Sequence, residues 1–354
     1  LLLNRDQTDG WIDNLTRTDL RPGAGKGDNA RALVRVKPSA TLTVDMALHR
    51  SRYEGQPLYG EAVPPAAQAN LAPGPYTTSF EADSREKVQK DGGSVTLNLG
   101  LGGGLSLTSI TAYQKASNSY VNDEDLSPQN VFTAPDSRTG TRQTSQEVRI
   151  ESAASPQFDW LAGVFWLKQA NDQYGTIATG PAFPVPALRN RTSVGQGTLD
   201  GESTALFAHG NLRLAEALQL TGGLRWTRET KDAVYEQTPI PGVVTNVPRF
   251  SAGLADTDLS PKIGLNWFAS KAMMVYGFYT QGFKSGGYNL DNITTPVSNP
   301  ARDLRFDKQT VKSAEIGLKS EFADRRVRLN AAAYTMDGTD FSVGGGAEFT
   351  IQKF

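Results

Sequence analysis

The sequence contains no cysteine and only two histidines in 354 residues. Without cysteine, a disulfide scaffold and a metal site built on thiolates are excluded. Two histidines are too few for a histidine-rich metal site. Lysine and arginine number 36, and aspartate and glutamate 37, for a net charge of -1. A nucleic-acid partner is not expected, because proteins that bind nucleic acids carry clustered positive charge.

Long apolar runs are also missing. The longest run, Trp160–Leu167, is far shorter than the ~18 residues that suggest a membrane-spanning helix. As an extended strand, however, it nearly reaches the ~9–11 residues that cross a bilayer at a tilt. The sequence therefore predicts no helical span, but it is compatible with a membrane protein that crosses with strands, whose apolar residues alternate with polar ones.

Both ends of the sequence resemble cut ends. The chain begins Leu-Leu-Leu-Asn-Arg-Asp, without an initiator methionine or the basic segment of a signal peptide. It stops at Phe354 inside a strand-like run. We therefore expect residues 1–354 to form one partial domain, truncated at both ends. Leu1–Asp9 and Phe349–Phe354 would then be incomplete strands.

Polar and apolar residues alternate along many segments, which is typical of β-strands with one face in apolar surroundings. In Val95–Leu101 the odd-numbered residues are apolar, and in Leu218–Arg228 most even-numbered residues are. The pattern recurs in Gln146–Glu151, Pro261–Trp267, Ser313–Lys319 and Arg326–Ala333. Side chains on a strand point to alternate faces, so each strand has an apolar and a polar face. This alternation fits a soluble β-sandwich as well as a membrane barrel.

The connections between strands favour the barrel. Short turns alternate with long loops, and outer-membrane barrels have short periplasmic turns and long external loops. The predicted turns lie near Pro38, Gly103, Ala154, Glu216, Ser270 and Asp324. The predicted loops are 53–91, 118–141, 171–201, 232–257 and 286–309. Repeated irregular loops of roughly 25–40 residues would be unusual in a soluble sandwich.

Strand length and aromatic residues favour the barrel as well. Leu105–Ser117, Leu218–Thr230 and Arg326–Phe341 exceed the ~5–6 residues of typical strands. Aromatic residues near the ends of apolar segments are typical of a membrane girdle; they are Tyr113, Trp160, Trp166, Trp226, Tyr276, Phe278, Tyr279 and Tyr334. A soluble β-propeller is the alternative, but its repeated four-stranded signature is not visible. The sequence predicts an all-β, transmembrane antiparallel β-barrel with about 12–14 strands present.

Four segments resemble the barrel of TonB-dependent outer-membrane receptors, the type described as iron-complex or siderophore receptors. They are Asp9–Asn14, Leu259–Leu265, Tyr279–Asn289 and Ser313–Lys319, in that family's order and spacing. The resemblance implies part of a barrel of about 22 strands that is filled by a plug domain. Neither the plug domain nor the TonB box that couples it to energy is recognisable here.

The resemblance also implies a function and partners. Such a receptor lies in the bacterial outer membrane, in contact with its lipid, and captures a ferric siderophore or a similar scarce nutrient. The TonB–ExbB–ExbD complex then acts on the plug domain. We therefore expect energised transport, no enzyme activity and no cofactor. A passive porin-like channel is one alternative, and a structural or adhesive barrel is another.

The polar faces supply candidate residues that would contact the plug or anionic groups of a ligand, since arginine pairs well with carboxylates. They are Glu147, Arg149, Arg225, Glu315, Lys319 and Arg328, with Glu151, Arg228 and Arg326 as further charged positions. Arg228 is in register with the apolar residues of its strand. A hydrated wall of paired charges is the alternative interpretation.

Phe283, Lys284 and Tyr288 are candidates for contact with the ligand, because they lie where a Gly- and aromatic-rich strand runs into a loop. The alternative is a hinge with girdle residues. His49 and His209 lie on different hairpins, so we expect polar surface residues rather than haem ligands. The acidic run Asn122–Asp125 lacks the spacing of a calcium loop and predicts a solvated loop. No arrangement of nucleophile, base and acid indicates catalysis.

Overall fold

A computed structural model describes residues 1–57, 74–153, 155, 157–291, 293–322, 324 and 326–339. In chain order its strands are β1 (Leu2–Asp9), β2 (Asp13–Asn14), β3 (Ala24–Val36), β4 (Leu42–Gly55), β5 (Thr77–Thr78), β6 (Arg85–Gly102), β7 (Leu105–Asp123), β8 (Phe132–Ser152), β9 (Phe158–Thr179), β10 (Thr192–Ala215), β11 (Leu218–Gln237), β12 (Val247–Ser270), β13 (Met273–Lys284), β14 (Gly287–Tyr288), β15 (Arg305–Phe306), β16 (Gln309–Phe322) and β17 (Val327–Thr339). A 3-10 helix covers Pro186–Leu188, and a four-residue helix, α1, covers Pro300–Asp303.

Thirteen of the strands form one antiparallel sheet in the order β1-β3-β4-β6-β7-β8-β9-β10-β11-β12-β13-β16-β17. Long strands that follow one another in the chain are neighbours, so the sheet is a series of hairpins. The two-residue strands pair separately, β2 with β5 in parallel and β14 with β15. In the described residues no helix has the length and apolar character to cross a membrane. The antiparallel fold and the number of strands agree with the prediction.

One face of the sheet carries a continuous apolar band. On β9 it runs from Phe158 to Trp166, on β11 from Leu218 to Trp226 and on β12 from Leu259 to Trp267. The large side chains in it are exposed, with Ile263 at 56% and Trp267 at 52%. Soluble proteins rarely leave so large an apolar surface in water. Each band is about nine residues long, which is enough for a tilted strand to cross a bilayer. We call this the outer face and the opposite one the inner face.

Tryptophans mark the end of the band on the side of the long connections. The indole Nε1 of Trp166 donates to Glu202 at 2.8 Å, and Trp226 lies opposite Leu206. Beyond them the outer face is charged and exposed, as at Lys168 and Arg228.

The inclusion of Arg228 among inner-face charges was therefore wrong, because its position follows the apolar set of β11. Its long stem lets the guanidinium reach water beyond the band.

Tyr276 and Phe278 do not belong to the girdle. They lie on the inner face, opposite Gly317 and Glu315 in the neighbouring strand, with their rings stacked at 6.2 Å. Gly317 leaves room for this arrangement, since a Cβ there would clash with the Tyr276 ring. Their girdle assignment failed because the sequence shows that they lie near an apolar segment without showing which face they occupy.

Several strands extend beyond their predicted ends, and three loops are much shorter than predicted, whereas the predicted loop 286–309 agrees with the connection between β13 and β16. β7 continues past Ser117 to Asp123, and β11 past Thr230 to Gln237. The predicted loops 118–141, 171–201 and 232–257 reduce to connections at 124–131, 180–191 and 238–246. Outside the apolar band both faces of a strand meet water, so alternation stops while backbone pairing continues. Alternation in the sequence marks only the part of each strand that faces lipid.

A tight turn joins β6 to β7 at Gly102–Gly104, where all three glycines have positive φ, 84°, 60° and 79°. Residues with a Cβ rarely adopt this conformation. At the start of the chain, β1 pairs with β3 along its whole length. Ala154 and Ala323 in two predicted turns, and the predicted strand Phe349–Phe354, lie outside the described residues.

Buried apolar residues gather where connections fold against the inner face. One group, which we call the loop core, consists of Ala233, Tyr235, Val247, Tyr288, Leu290, Ile293 and Leu304. A second consists of Ala134, Ile177, Ile240 and Val244. The connection between β13 and β16 and the connection between β11 and β12 therefore cover part of the inner face at the end opposite the short turns.

Candidate functional site

Arg225 is the most distinctive charged residue on the inner face. Its guanidinium lies 5.4 Å from the ring of Phe165 and 5.6 Å from the ring of Phe207, and its Nε donates to Thr227 at 3.2 Å. Gly163 makes room for Phe207, because a Cβ at that position would lie 2.6 Å from the ring. Within the described residues no carboxylate forms an ion pair with Arg225. The two rings hold this cation in place while its charge remains unmatched.

The other predicted wall residues pair locally. Arg149 lies 2.9 Å from Glu147 and 3.9 Å from Glu151. Arg328 pairs with Glu321 near the short-turn end of β16 and β17. This pairing fits the hydrated-wall interpretation for these residues.

Glu315 and Lys319 share one aromatic partner. The hydroxyl of Tyr276 donates to Glu315 at 2.6 Å, and Lys319 Nζ lies 5.5 Å from the centre of the Tyr276 ring. The six predicted wall residues therefore form separate groups on different strands. Among the described residues neither Arg225 nor Lys319 has a carboxylate partner, and Arg225 differs from Lys319 in lying against two aromatic rings instead of one.

Polar bonds anchor the connection between β13 and β16 to the inner face. Lys231 Nζ donates to Ser285 Oγ at 2.6 Å and to the Gly286 carbonyl at 2.8 Å, and it lies 3.2 Å from Glu229. The Gly286 amide donates to Asp256 at 2.8 Å. Beside this network lies a cavity of about 260 Å³, lined by residues that include Gln169, Asn171, Ser203, Glu229 and Lys231.

Phe283, Lys284 and Tyr288 do not form one cluster. Phe283 follows the outer-face alternation of Tyr279 on β13, opposite Thr310. Lys284 is exposed, with Nζ 5.8 Å from the Phe306 ring. Tyr288 is 6% exposed in the loop core, and its hydroxyl donates to the Gly253 carbonyl at 3.2 Å. Lys284 is therefore accessible from the inner face, whereas Tyr288 is not.

The comparison with known families decides the identity of the fold. The profile of the family described as "TonB dependent receptor-like, beta-barrel" matches residues 34–349. The chain belongs to the TonB-dependent receptor family. Members of this family are outer-membrane β-barrels that act as transporters rather than enzymes. The predicted family is confirmed, and the inner face described above lines the lumen of a receptor barrel.

Solved structures of receptors share the fold. The ferric yersiniabactin uptake receptor FyuA from Yersinia pestis is 17% identical, with a TM-score of 0.76 over 96% of this chain and 49% of that one. The ferric-catecholate import receptor Fiu from E. coli, in its closed form, is 13% identical, with a TM-score of 0.63 over 89% and 51%. The copper transporter OprC is 12% identical, with a TM-score of 0.66 over 96% and 49%. The chain thus spans about half the length of each receptor.

The two histidines of the receptor chain lie on separate strands, His49 on β4 and His209 on β10. In the described part of the chain no group of three or more His, Cys, Asp or Glu side chains could hold a metal ion.

An acidic pair at the loop end of the receptor wall escaped the sequence analysis. Asp123, predicted to lie in a solvated loop, is 2% exposed at the end of β7. Its carboxylate accepts backbone hydrogen bonds from Leu126 at 2.7 Å and Asp125 at 3.2 Å. The carboxyl of Glu81, from the connection before β6, lies against it, and both Glu81 oxygens are shielded from water. The pair was missed because forty-odd residues, roughly a full hairpin, separate its members in the chain.

Burial and the hydrogen bond to Asp123 raise the pKa of Glu81 to about 8 from its usual 4.5. A hydrogen bond between two carboxyls requires a proton, and the raised pKa places that proton on Glu81. A raised folded-state pKa means that the folded protein binds more protons than the unfolded chain between pH 4.5 and about 8. Stability from this contact is therefore present at low pH and is lost as the pH rises through that window.

We expect the segment Thr77–Ser84 to loosen as the pH rises from about 6 to about 9. Amide protection factors, which are exchange rates corrected for the intrinsic pH dependence of exchange, measure the effect in this segment of the membrane-embedded receptor. Glu81→Gln, which stays neutral at both pH values, should remove most of the pH dependence of protection, whereas Glu86→Gln on the neighbouring strand should leave it intact. Equal protection factors at both pH values in the unsubstituted receptor would contradict the proton on Glu81.

Proposed function

We propose that this chain forms part of the wall of an outer-membrane receptor that takes up a ferric siderophore or a similar scarce nutrient, with energy supplied by the TonB–ExbB–ExbD complex through a plug domain. The observation that carries the proposal is the inner face. It presents an arginine that lies between two phenylalanine rings and has no carboxylate partner among the described residues, and connections fold inward over part of this face. Both features suit selective capture in a filled lumen, and three structural neighbours are named as uptake receptors or a transporter.

Arg225 is proposed to contact a carboxylate of the plug or an anionic group of the cargo. Guanidinium groups bind carboxylates through two parallel hydrogen bonds. The rings of Phe165 and Phe207 shield part of the guanidinium from water and restrict its movement. Such a preformed cation loses less freedom on binding than a mobile surface arginine does. Lys284 and Lys319 are proposed as weaker contacts, since both are exposed on the inner face.

Uptake of radioactive iron by cells tests the function. A strain without the complete gene is compared with one that carries it, using catecholate, hydroxamate and carboxylate chelates of iron. We expect the gene to restore saturable uptake of one chelate class, and a protonophore to abolish that uptake. Uptake that ignores the protonophore and rises linearly with concentration would indicate a passive porin-like channel. Unchanged uptake of every chelate would exclude iron as the cargo.

The same assay tests the role of Arg225. Arg225→Gln removes a charged hydrogen-bond partner, so we expect uptake to fall about tenfold or more. Arg228→Gln is the matched control, because Arg228 lies on the same strand but on the outer face. Uptake that is unchanged in Arg225→Gln, or reduced equally in both variants, would refute the proposed contact.

A further inference from the structure

The two edges of β12 differ in how far they are paired. Its pairing with β11 runs from Trp267, opposite Leu218, as far as Val247, opposite Gln237. Its pairing with β13 stops at Lys262, opposite Thr280. β13 nevertheless continues to pair with β16 as far as Lys284. We call the unpaired edge of β12 from Gly253 to Pro261, where it faces β13 and the connection that follows, the seam.

Pro261 explains where the ladder stops. In an antiparallel strand the N–H and C=O of one residue point to the same edge, and the next residue points to the opposite edge. The carbonyls of Thr257 and Leu259 accept bonds from side chains on the β13 side, so the odd-numbered residues here point into the seam. Pro261 is therefore the next residue to face β13, and it has no N–H to donate. The proline of the segment Leu259–Leu265 thus ends the pairing.

Side chains take the place of strand pairing along the seam. Each of three carbonyl groups accepts one side-chain hydrogen bond: Gly253 from the Tyr288 hydroxyl at 3.2 Å, Thr257 from Lys308 Nζ at 3.1 Å, and Leu259 from Gln281 Nε2 at 3.4 Å. Lys308 also pairs with Asp258 at 3.1 Å, where the Asp258 side chain is only 5% exposed. The amides of Ala255 and Thr257 face the same side, where the ladder between β12 and β13 does not extend among the described residues.

The seam begins at the outer edge of the apolar band, which it overlaps only at Leu259–Pro261. Leu259 is the last residue of the apolar band on β12, and Tyr279 is the last outer-face apolar residue before the polar Gln281 on β13. Within the band, unpaired backbone groups would be very costly because lipid offers no hydrogen bonds. Above it, water can satisfy them. The wall is therefore continuous across nearly all of the membrane and divided only at its outer end.

We propose that the seam is a hinge in the receptor wall. Above Pro261 the wall consists of two units. One is β11 with β12, to which residues 285–291 and 293–304 of the connection are held by the loop core and by Lys231 and Asp256. The other is β13 with β16, and Lys308 directly precedes β16. Lys308 is the latch, since it is the one described side chain that bonds to both a backbone and a carboxylate oxygen of β12 across the seam. Opening separates the two units and widens the entrance to the lumen at the end opposite the short turns, whatever cargo the receptor takes.

Distance measurement between paired spin labels tests the hinge in the complete protein in outer-membrane vesicles. The sequence has no cysteine, so labels attach only to introduced ones. Thr204→Cys with Lys312→Cys places labels on β10 and β16, across the seam. Gln89→Cys with Asp200→Cys places them on β6 and β10, the same number of strands apart across unbroken pairing.

We expect a broad, two-population distance distribution across the seam and a narrow one for the control pair. Lys308→Met should increase the longer-distance population, and Pro261→Val, which restores an N–H, should decrease it. Neither substitution should change the control pair. A seam distribution as narrow as the control and unaffected by Lys308→Met would overturn the proposal.

Amide exchange gives a second test, which does not require that the Pro261→Val variant assembles in the membrane. The amides of Ala255 and Thr257 point into the seam, whereas those of Leu254 and Asp256 point to β11. We expect the first two to exchange at least about tenfold faster. Equal protection of all four would show that the seam is closed and would refute the hinge.

Discussion

Ile263→Arg should prevent stable assembly of the protein in the outer membrane. Ile263 is at the middle of the apolar band on β12 and is 56% exposed on the outer face. A charged side chain at the bilayer midplane costs a transmembrane barrel about 2–4 kcal/mol, a large part of the stability of most folded proteins. The measurement is the amount of folded, heat-modifiable protein recovered from outer membranes of cells that express the complete gene.

Thr221→Arg is the control for this substitution. Thr221 lies on the inner face of β11 opposite Gly264, next to Ile263 in the sheet, and its hydroxyl donates to Asn211 at 2.7 Å. The substitution loses that bond, worth about 1 kcal/mol, but leaves the new charge in the lumen. We therefore expect near-normal assembly. If both variants failed equally, or if Ile263→Arg assembled normally, the assignment of the two faces would be wrong.

Tyr288→Ala should release the connection between β13 and β16 from the inner face. The side chain is buried in the loop core with Tyr235, Leu290 and Leu304. Truncating a large buried aromatic residue costs about 3–5 kcal/mol, and this loss falls on a connection that is held otherwise by the smaller residues Leu290, Ile293 and Leu304 and by a few polar bonds. We expect residues 285–291 and 293–308 to become susceptible to protease added to intact cells, while the strands remain resistant.

Tyr288→Phe separates packing from hydrogen bonding in this test. It keeps the ring and loses only the bond to the Gly253 carbonyl, worth about 1 kcal/mol. The connection should then remain protected. A role for Tyr288 in direct ligand contact would show the opposite pattern, with uptake impaired in both variants and no new cleavage in either.

The sequence was sufficient to predict the face of most residues within the apolar band. Leu224, Ile263 and Ile316 are exposed on the outer face, and Arg225 lies on the inner face, as the alternation on their strands indicates. Lipid on one side and a polar lumen on the other impose this alternation directly on the sequence. Beyond the lipid this cause of alternation is absent, and the predicted ends of the strands were inaccurate in that part of the wall.

The candidate site was harder to predict, because tertiary contacts determine it. Tyr288 follows two glycines and resembles an exposed loop residue, yet contacts with β11 and β12 bury it. Glu81 and Asp123 come together through the pairing of β6 with β7, a contact that leaves no local pattern. Arg225 was among the predicted residues, but its two phenylalanine neighbours come from β9 and β10, so its unusual surroundings were not visible in the sequence.

The apolar band also limits how such a wall can change over evolutionary time. On β11 the side chain of Trp226 lies against lipid, while its neighbours Arg225 and Thr227 face the lumen. One residue inserted between Leu218 and Trp226 would exchange the two environments for every side chain beyond it. Insertions and deletions within the band are therefore tolerable only if they involve an even number of residues. The connections at 124–131, 180–191 and 238–246 can change by any number. New specificities can arise in the connections while the wall beneath them keeps its length.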